Sequence, residues 1–209
     1  MQRRRIIVYG GSFDPVHAGH ITAAKYAAKN MARVGQLWFL PSVNEPGKKL
    51  VAFHHRVAML SLAMKAEELP PIFKICTYAG EMSDNPSTYV MLNRIKALHP
   101  ESDVLFMLGT DQAYDIRYWR NSRKLIREHT LVLVKRNPHA KAPSWVKKHD
   151  HIYLRRIQPV SISSMSLRTS MKDLVNKKFD DMSFLERSRY KNLHKPVIDY
   201  IKREGLYNA

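Results

Sequence analysis

Residues 6–20 read Ile6-Ile7-Val8-Tyr9-Gly10-Gly11-Ser12-Phe13-Asp14-Pro15-Val16-His17-Ala18-Gly19-His20. Four β-prone apolar residues stopped by two glycines mark a buried strand. From His20 the period changes, and Ile21, Ala24, Ala27, Ala28 and Met31 share one helical face. A strand that turns through glycines into a helix opens a parallel α/β unit and presents backbone N–H groups to a ligand at the turn. Gly10 and Gly11 allow close backbone approach. His17 and His20, three apart, send two imidazoles into one space, and each offers an N–H to a phosphate oxygen. The loop matches neither G-x-G-x-x-G nor G-x-x-x-x-G-K-[ST]. Alone, it reads equally as a glycine turn with two surface histidines. A metal site there lacks a third Cys, His or acid at ligand spacing.

The same alternation runs outward from this unit. Strands are expected at Gln36–Leu40, Phe73–Thr77, Asp103–Leu108, Thr130–Val134 and Ile152–Leu154. Helices are expected at Arg56–Ala66, Tyr89–Leu98, around Leu125, at Ser164–Asn176 and at Val197–Arg203. Strands alternating with helices at this spacing imply parallel pairing with right-handed crossovers. The fold class is α/β, a doubly wound (Rossmann-like) parallel sheet flanked by helices, in a single domain. Residues 135–150 read as a basic loop with one helical turn. Residues 177–194, highly charged, read as an exposed insertion before the last helix, and 177–209 as a C-terminal helical extension of the one domain over 1–209.

Composition narrows the partners. The chain of 209 residues carries a formal net charge of +17 and a single cysteine, Cys76. That balance favours anionic partners: phosphates, nucleic acid or an acidic membrane surface. One cysteine excludes an internal disulfide framework and a Cys-rich zinc site, and in its strand Cys76 reads as a small buried hydrophobe. No apolar run approaches the ~18 residues of a membrane span, and the run after Met1-Gln-Arg-Arg-Arg is too short for a secretion signal. The expectation is a soluble, cytoplasmic protein with no membrane partner.

A second constellation lies far along the chain, Ser161-Ile162-Ser163-Ser164-Met165-Ser166-Leu167-Arg168. Hydroxyls ahead of a helix cap it, and the same N–H groups with Arg168 one turn in form a seat for an anion. A serine-rich cap beside a solvated arginine is the plainer reading of the stretch alone. Paired with the histidine loop, it becomes a second helix start aimed at phosphates.

Gly10 to His20 together with Ile162 to Arg168 resembles the nucleotidyltransferase superfamily, with its (H/T)-x-G-H and I-S-S-T-x-x-R motifs. Leu108-Gly109-Thr110-Asp111 with Trp119 and Leu125, Val134-Lys135-Arg136, and the ending Lys195 to Tyr207 with Gly205-Leu206-Tyr207 resemble one branch of it, the bacterial nicotinate (nicotinamide) mononucleotide adenylyltransferases. Four departures are visible, one being that the 177–194 stretch is longer and more basic than the family leads one to expect. The family's S-Y-T reads Ser87-Thr88-Tyr89, its P-P-H-K reads Glu45-Pro46-Gly47-Lys48, and its motif threonine is Met165.

The resemblance implies transfer of AMP from ATP to nicotinate mononucleotide, with release of pyrophosphate, in NAD biosynthesis. It implies catalytic roles for His17, His20 and Arg168. It implies ATP contacts from Gly10, Gly11, Ser12, Phe13, Ser163 and Ser164, and mononucleotide contacts from Lys48, Thr88, Asp111 and Trp119. Asp111 reads equally as a strand-end cap, Trp119 as core, and Lys48 as a solvated loop lysine. Mg²⁺ is implied as a cofactor held mainly through ATP phosphates, because the sequence shows no acidic cage. The same reaction on nicotinamide mononucleotide, or a related transfer to another acceptor, stays open beside this reading. A basic nucleic-acid-binding module is the non-enzymatic alternative; it lacks any helix-turn-helix, RNP or zinc-finger signature. A homo-oligomer is compatible with the sequence and not specified by it.

Overall fold

The computed structural model describes residues 2–45, 47, 49–82, 85–135, 141–154, 164–168, 171, 177 and 179–207. Six strands make one sheet: β1 (Arg4–Gly11), β2 (Val34–Pro41), β3 (Phe73–Ile75), β4 (Ser102–Gly109), β5 (Leu131–Val134) and β6 (His151–Leu154). Their order is β3-β2-β1-β4-β5-β6, and every pair is parallel. The doubly wound α/β sheet is therefore as expected. The helices are α1 (Ala18–Asn30), α2 (Phe53–Ala66), α3 (Thr88–Leu98), α4 (Gln112–Asp115), α5 (Ser122–Glu128), α6 (164–168), α7 (Phe184–Lys191) and α8 (Lys195–Arg203). Among the described residues no helix is long and apolar enough to cross a membrane.

The central strands are apolar throughout because both faces are covered. Along β1 the side chains alternate: Ile7 and Tyr9 join the core under α1, α2 and α8, while Ile6 and Val8 join the core under α3, α4 and α5. Each fully buried Ile or Val contributes roughly 1.5–3 kcal/mol, so the middle strand is anchored from both sides. α1 lies close to the sheet because its buried face is Ile21, Ala23, Ala24 and Ala27. Chain direction across the sheet reverses between β1, which feeds α1, and β4, which feeds α4. Ligands of doubly wound sheets bind at that switch point, outside the carboxyl ends of the strands.

The elements differ from expectation mainly at their ends. β1 and β4 begin earlier because Arg4 pairs with Ser102. β5 begins at Leu131 rather than Thr130, and β3 stops at Ile75. α2 starts at Phe53, three residues before Arg56. The helical turn in the basic loop is a 3₁₀ turn at Ser144–Lys148. α4 and the 3₁₀ turn at Ile116–Tyr118 were not anticipated. Of the helix expected over 164–176, residues 169–170 and 172–176 lie outside the described residues. Residues 177–194 contain α7, started by a reciprocal pair in which Ser183 Oγ accepts from Glu186 N–H and Glu186 accepts from Ser183 N–H. Cys76 is buried, and burial pushes its thiol above the usual range.

Gly10 shows how tightly the switch point is packed. A Cβ there would stand 2.7 and 2.8 Å from two atoms of the Phe106 ring on β4. Gly10→Ala must displace that ring from a full core, so it should lower stability by about 1–3 kcal/mol. A urea unfolding midpoint equal to that of the parent chain would refute this account of the glycine.

Candidate active site

The chain leaves β1 at Gly11 and reaches α1 through Ser12 to His17. Phe13 takes the left-handed region, with φ 50, an uncommon conformation that its surroundings must hold. They do so with aromatic edges: the Phe13 ring meets Tyr9 at 5.6 Å, Phe39 at 5.6 Å and His20 at 5.0 Å between centroids. The ring is fully buried, so only the Phe13 backbone could face a ligand. His17 caps α1, and its backbone N–H donates to His20 Nδ1 at 3.3 Å. The two imidazoles stack at 3.8 Å with a tilt of 35°. The structure thus brings His17 and His20 into one space. His17 is fully buried and His20 is 5% exposed. The first turn of α1 holds no acidic residue, which leaves its positive end unopposed from within the helix.

The second constellation comes to the same place. Ser164 Oγ donates to the Pro15 carbonyl at 3.1 Å, and Arg168 donates to the Asp14 carbonyl at 2.6 Å. Residues about 150 apart in sequence thus share the turn ahead of His17. Ser163 lies outside the described residues, as does Lys48.

Three residues not assigned to the site by sequence, Asp14, Tyr207 and Arg56, bond within or to the same turn. Asp14 is fully buried; its Oδ1 accepts from the Tyr207 hydroxyl at 2.5 Å, and its Oδ2 stands 3.9 Å from Arg168. Burial pushes this carboxyl above the usual range, while Tyr207, Arg168 and Arg56 work against that rise. Burial, then the Asp14 charge, raises the Tyr207 phenol. Arg56 is also fully buried, and burial lowers its guanidinium from its ordinary value. It donates to four carbonyls: Val51 at 3.0 Å, Ser12 at 2.9 Å, Ser42 at 2.6 Å and Val43 at 3.2 Å. It thereby ties the turn after β1 to the loop after β2.

The described residues expected to face the mononucleotide lie at the start of α3, ahead of α4, and after the 3₁₀ turn at Ile116–Tyr118. Thr88 is the first residue of α3, directly after the cap Ser87, whose Oγ accepts from Asn121 Nδ2 at 3.0 Å. Trp119 is half-buried and presents an edge to Phe106 at 6.2 Å between centroids. Asp111 is exposed after β4, ahead of α4, and its side chain makes no capping hydrogen bond. The Phe106 ring is thus close both to Trp119 and to the Gly10 backbone.

Comparison with known proteins follows this geometry. The cytidylyltransferase-like family matches residues 8–170. The "Probable nicotinate-nucleotide adenylyltransferase" of Bacillus licheniformis is 32% identical over 136 residues, covering 64% of this chain and 70% of its own. The "Probable nicotinate-nucleotide adenylyltransferase/Ap4A hydrolase" of Mycoplasma genitalium is 28% identical over 211 residues, 98% of this chain, and the chain spans only 53% of that protein's length. Among solved structures, Plasmodium falciparum nicotinic acid mononucleotide adenylyltransferase complexed with NaAD superposes with a TM-score of 0.79 at 25% identity, covering 98% of each chain. On these matches the chain belongs to the cytidylyltransferase-like family and to its nicotinate-nucleotide adenylyltransferase group.

Proposed function

We propose that this chain transfers the AMP moiety of ATP to nicotinate mononucleotide, giving nicotinate adenine dinucleotide and pyrophosphate. The observation that carries the reading is the meeting of the His17/His20 pair with Ser164 and Arg168 across the Asp14-Pro15 turn. A phosphate oxygen of the mononucleotide attacks the α-phosphorus of ATP, the new P–O bond forms, and the α–β bridge breaks to release pyrophosphate. The nucleophile is already an anion near neutral pH, so no general base and no covalent intermediate are needed. What remains for the protein is alignment and neutralisation of charge. His17 and His20 present N–H donors to the α-phosphoryl oxygens, and the N-terminal end of α1 adds its dipole. Arg168 and Ser164 hold the departing β- and γ-phosphates. Gly10, Gly11 and the Ser12 and Phe13 backbone border ATP, while Thr88, Asp111 and Trp119 border the mononucleotide. The net charge of +17 draws both polyanions toward the cleft.

Among the described residues no three His, Cys, Asp or Glu side chains are grouped to hold a metal. Mg²⁺ in this reading would be held mainly by ATP phosphate oxygens rather than by protein side chains, and would help neutralise the charge of the departing pyrophosphate. Pyrophosphate release with ATP and Mg²⁺ tests the reading, with nicotinate mononucleotide, nicotinamide mononucleotide and no acceptor compared. Release above background with nicotinate mononucleotide, at the higher kcat/KM of the two, is expected. Absence of release with either mononucleotide would move the chemistry to another acceptor.

A further inference from the structure

α8 ends in a left-handed turn whose chemistry is visible in its residues. Gly205 has φ 62, its N–H donates to the Lys202 carbonyl at 3.3 Å, and the Leu206 N–H donates to the Ile201 carbonyl at 3.1 Å. This is the paired arrangement that stops a helix and reverses the chain. The reversal carries Tyr207, itself at φ 64, back onto Asp14. A non-glycine residue in that region is uncommon and persists only where its surroundings over-determine it. Here the surroundings include a fully buried carboxylate 193 positions away, which needs a donor to remain inside the protein. The same Asp14 contributes the carbonyl that receives Arg168. Nearby, the first N–H of α1, that of Ala18, donates to the Asn192 carbonyl at 2.8 Å, so the chain after α7 also grips the start of the phosphate-facing helix.

We propose that Tyr207 is a positioning residue for the nucleotidyl-transfer site: its hydroxyl holds Asp14, and Asp14 in turn holds Arg168 and the turn that aims His17. The effect on turnover rests on the function proposed above, whereas the effect on the turn does not. Tyr207 touches no reacting atom. Its ring fills space, and its hydroxyl fixes the geometry of one loop.

The test uses the full chain with Tyr207→Phe, Asp14→Asn and the two combined. Melting temperature reports the fold, amide hydrogen exchange over residues 12–18 reports the turn, and pyrophosphate release with ATP and nicotinate mononucleotide reports the chemistry. Tyr207→Phe keeps the ring and should melt within a few degrees of the parent. Exchange over residues 12–18 should quicken by about tenfold, the scale of one charge-assisted hydrogen bond, while α3 and α5 stay unchanged. The kcat should fall about tenfold, the kind of loss that follows a small misplacement of aligned groups, with KM for ATP little altered. In the Asp14→Asn background the tyrosine substitution should add little, since coupled residues are not additive. Gly205→Ala, which opposes the left-handed turn, should mimic Tyr207→Phe. Unchanged exchange over residues 12–18, or full additivity of the two substitutions, would overturn the proposal. A parent chain inactive with every acceptor would instead defeat the proposed function, and the exchange measurement would still decide the role of Tyr207.

Discussion

His20→Ala is expected to lower kcat for pyrophosphate release by about 10²-fold or more, the loss seen when one transition-state donor is removed from a preorganised site. The imidazole is well held: it accepts from the His17 N–H at 3.3 Å, stacks on His17 at 3.8 Å and abuts Phe13 at 5.0 Å. In the proposed reaction a donor held this way would keep its aim as charge grows on the α-phosphoryl group. Because the two rings act from one stack, His17→Ala combined with His20→Ala should cost much less than the product of the single losses. Circular dichroism at the assay temperature separates lost chemistry from lost fold. A folded His20→Ala protein with near-parental kcat would remove His20 from the mechanism.

The largest effect on stability is expected from Arg56→Met, a loss of about 3–5 kcal/mol in unfolding free energy. Its guanidinium satisfies four carbonyls from three separate stretches of chain. The methionine side chain fills much of the volume but leaves those oxygens buried without a donor, and it withdraws a positive charge from the neighbourhood of Asp14. Arg56→Lys should recover only part of the loss, because an ammonium is a point donor and cannot match a planar fork. Urea unfolding of the three proteins measures this directly. A change under about 1 kcal/mol for Arg56→Met would mean that water or a neighbour replaces the guanidinium at little cost.

The sheet was legible in sequence because its central strands are buried on both faces. Ile6–Tyr9, Gln36–Leu40 and Asp103–Leu108 could not be mistaken for amphipathic surface elements, and only their ends moved. α4 gave no signal, since Gln112-Ala113-Tyr114-Asp115 is too short for a period and buries only Ala113. α7 carried a readable start, Ser183 with Glu186 three residues on, but its charge and its lack of any buried residue hid it as insertion. In the site, spacing alone predicted that His17 and His20 would meet. Arg56 was invisible for a physical reason. On a helical pattern a lone arginine reads as solvated, and its burial depends on carbonyls of Ser12, Ser42, Val43 and Val51, whose positions no local pattern encodes. Asp14 stood within the quoted motif, yet its buried partner lay in the ending, and a hydrogen bond across 193 positions leaves no mark in either stretch.

The span between Asp14 and Tyr207 also orders events in time. Chains are made at about 5–20 residues per second, so the hydroxyl that completes the turn ahead of His17 is synthesised roughly 10–40 s after the carboxylate it serves. β1 can pair with β2 once Pro41 is made, but its other neighbour, β4, begins only at Ser102. A nascent chain therefore carries His17 and His20 through most of its synthesis before β4 and Tyr207 can pack around their turn. Ribosomal pausing between β4 and Tyr207 would therefore delay completion of the Asp14 turn more than it delays formation of the sheet.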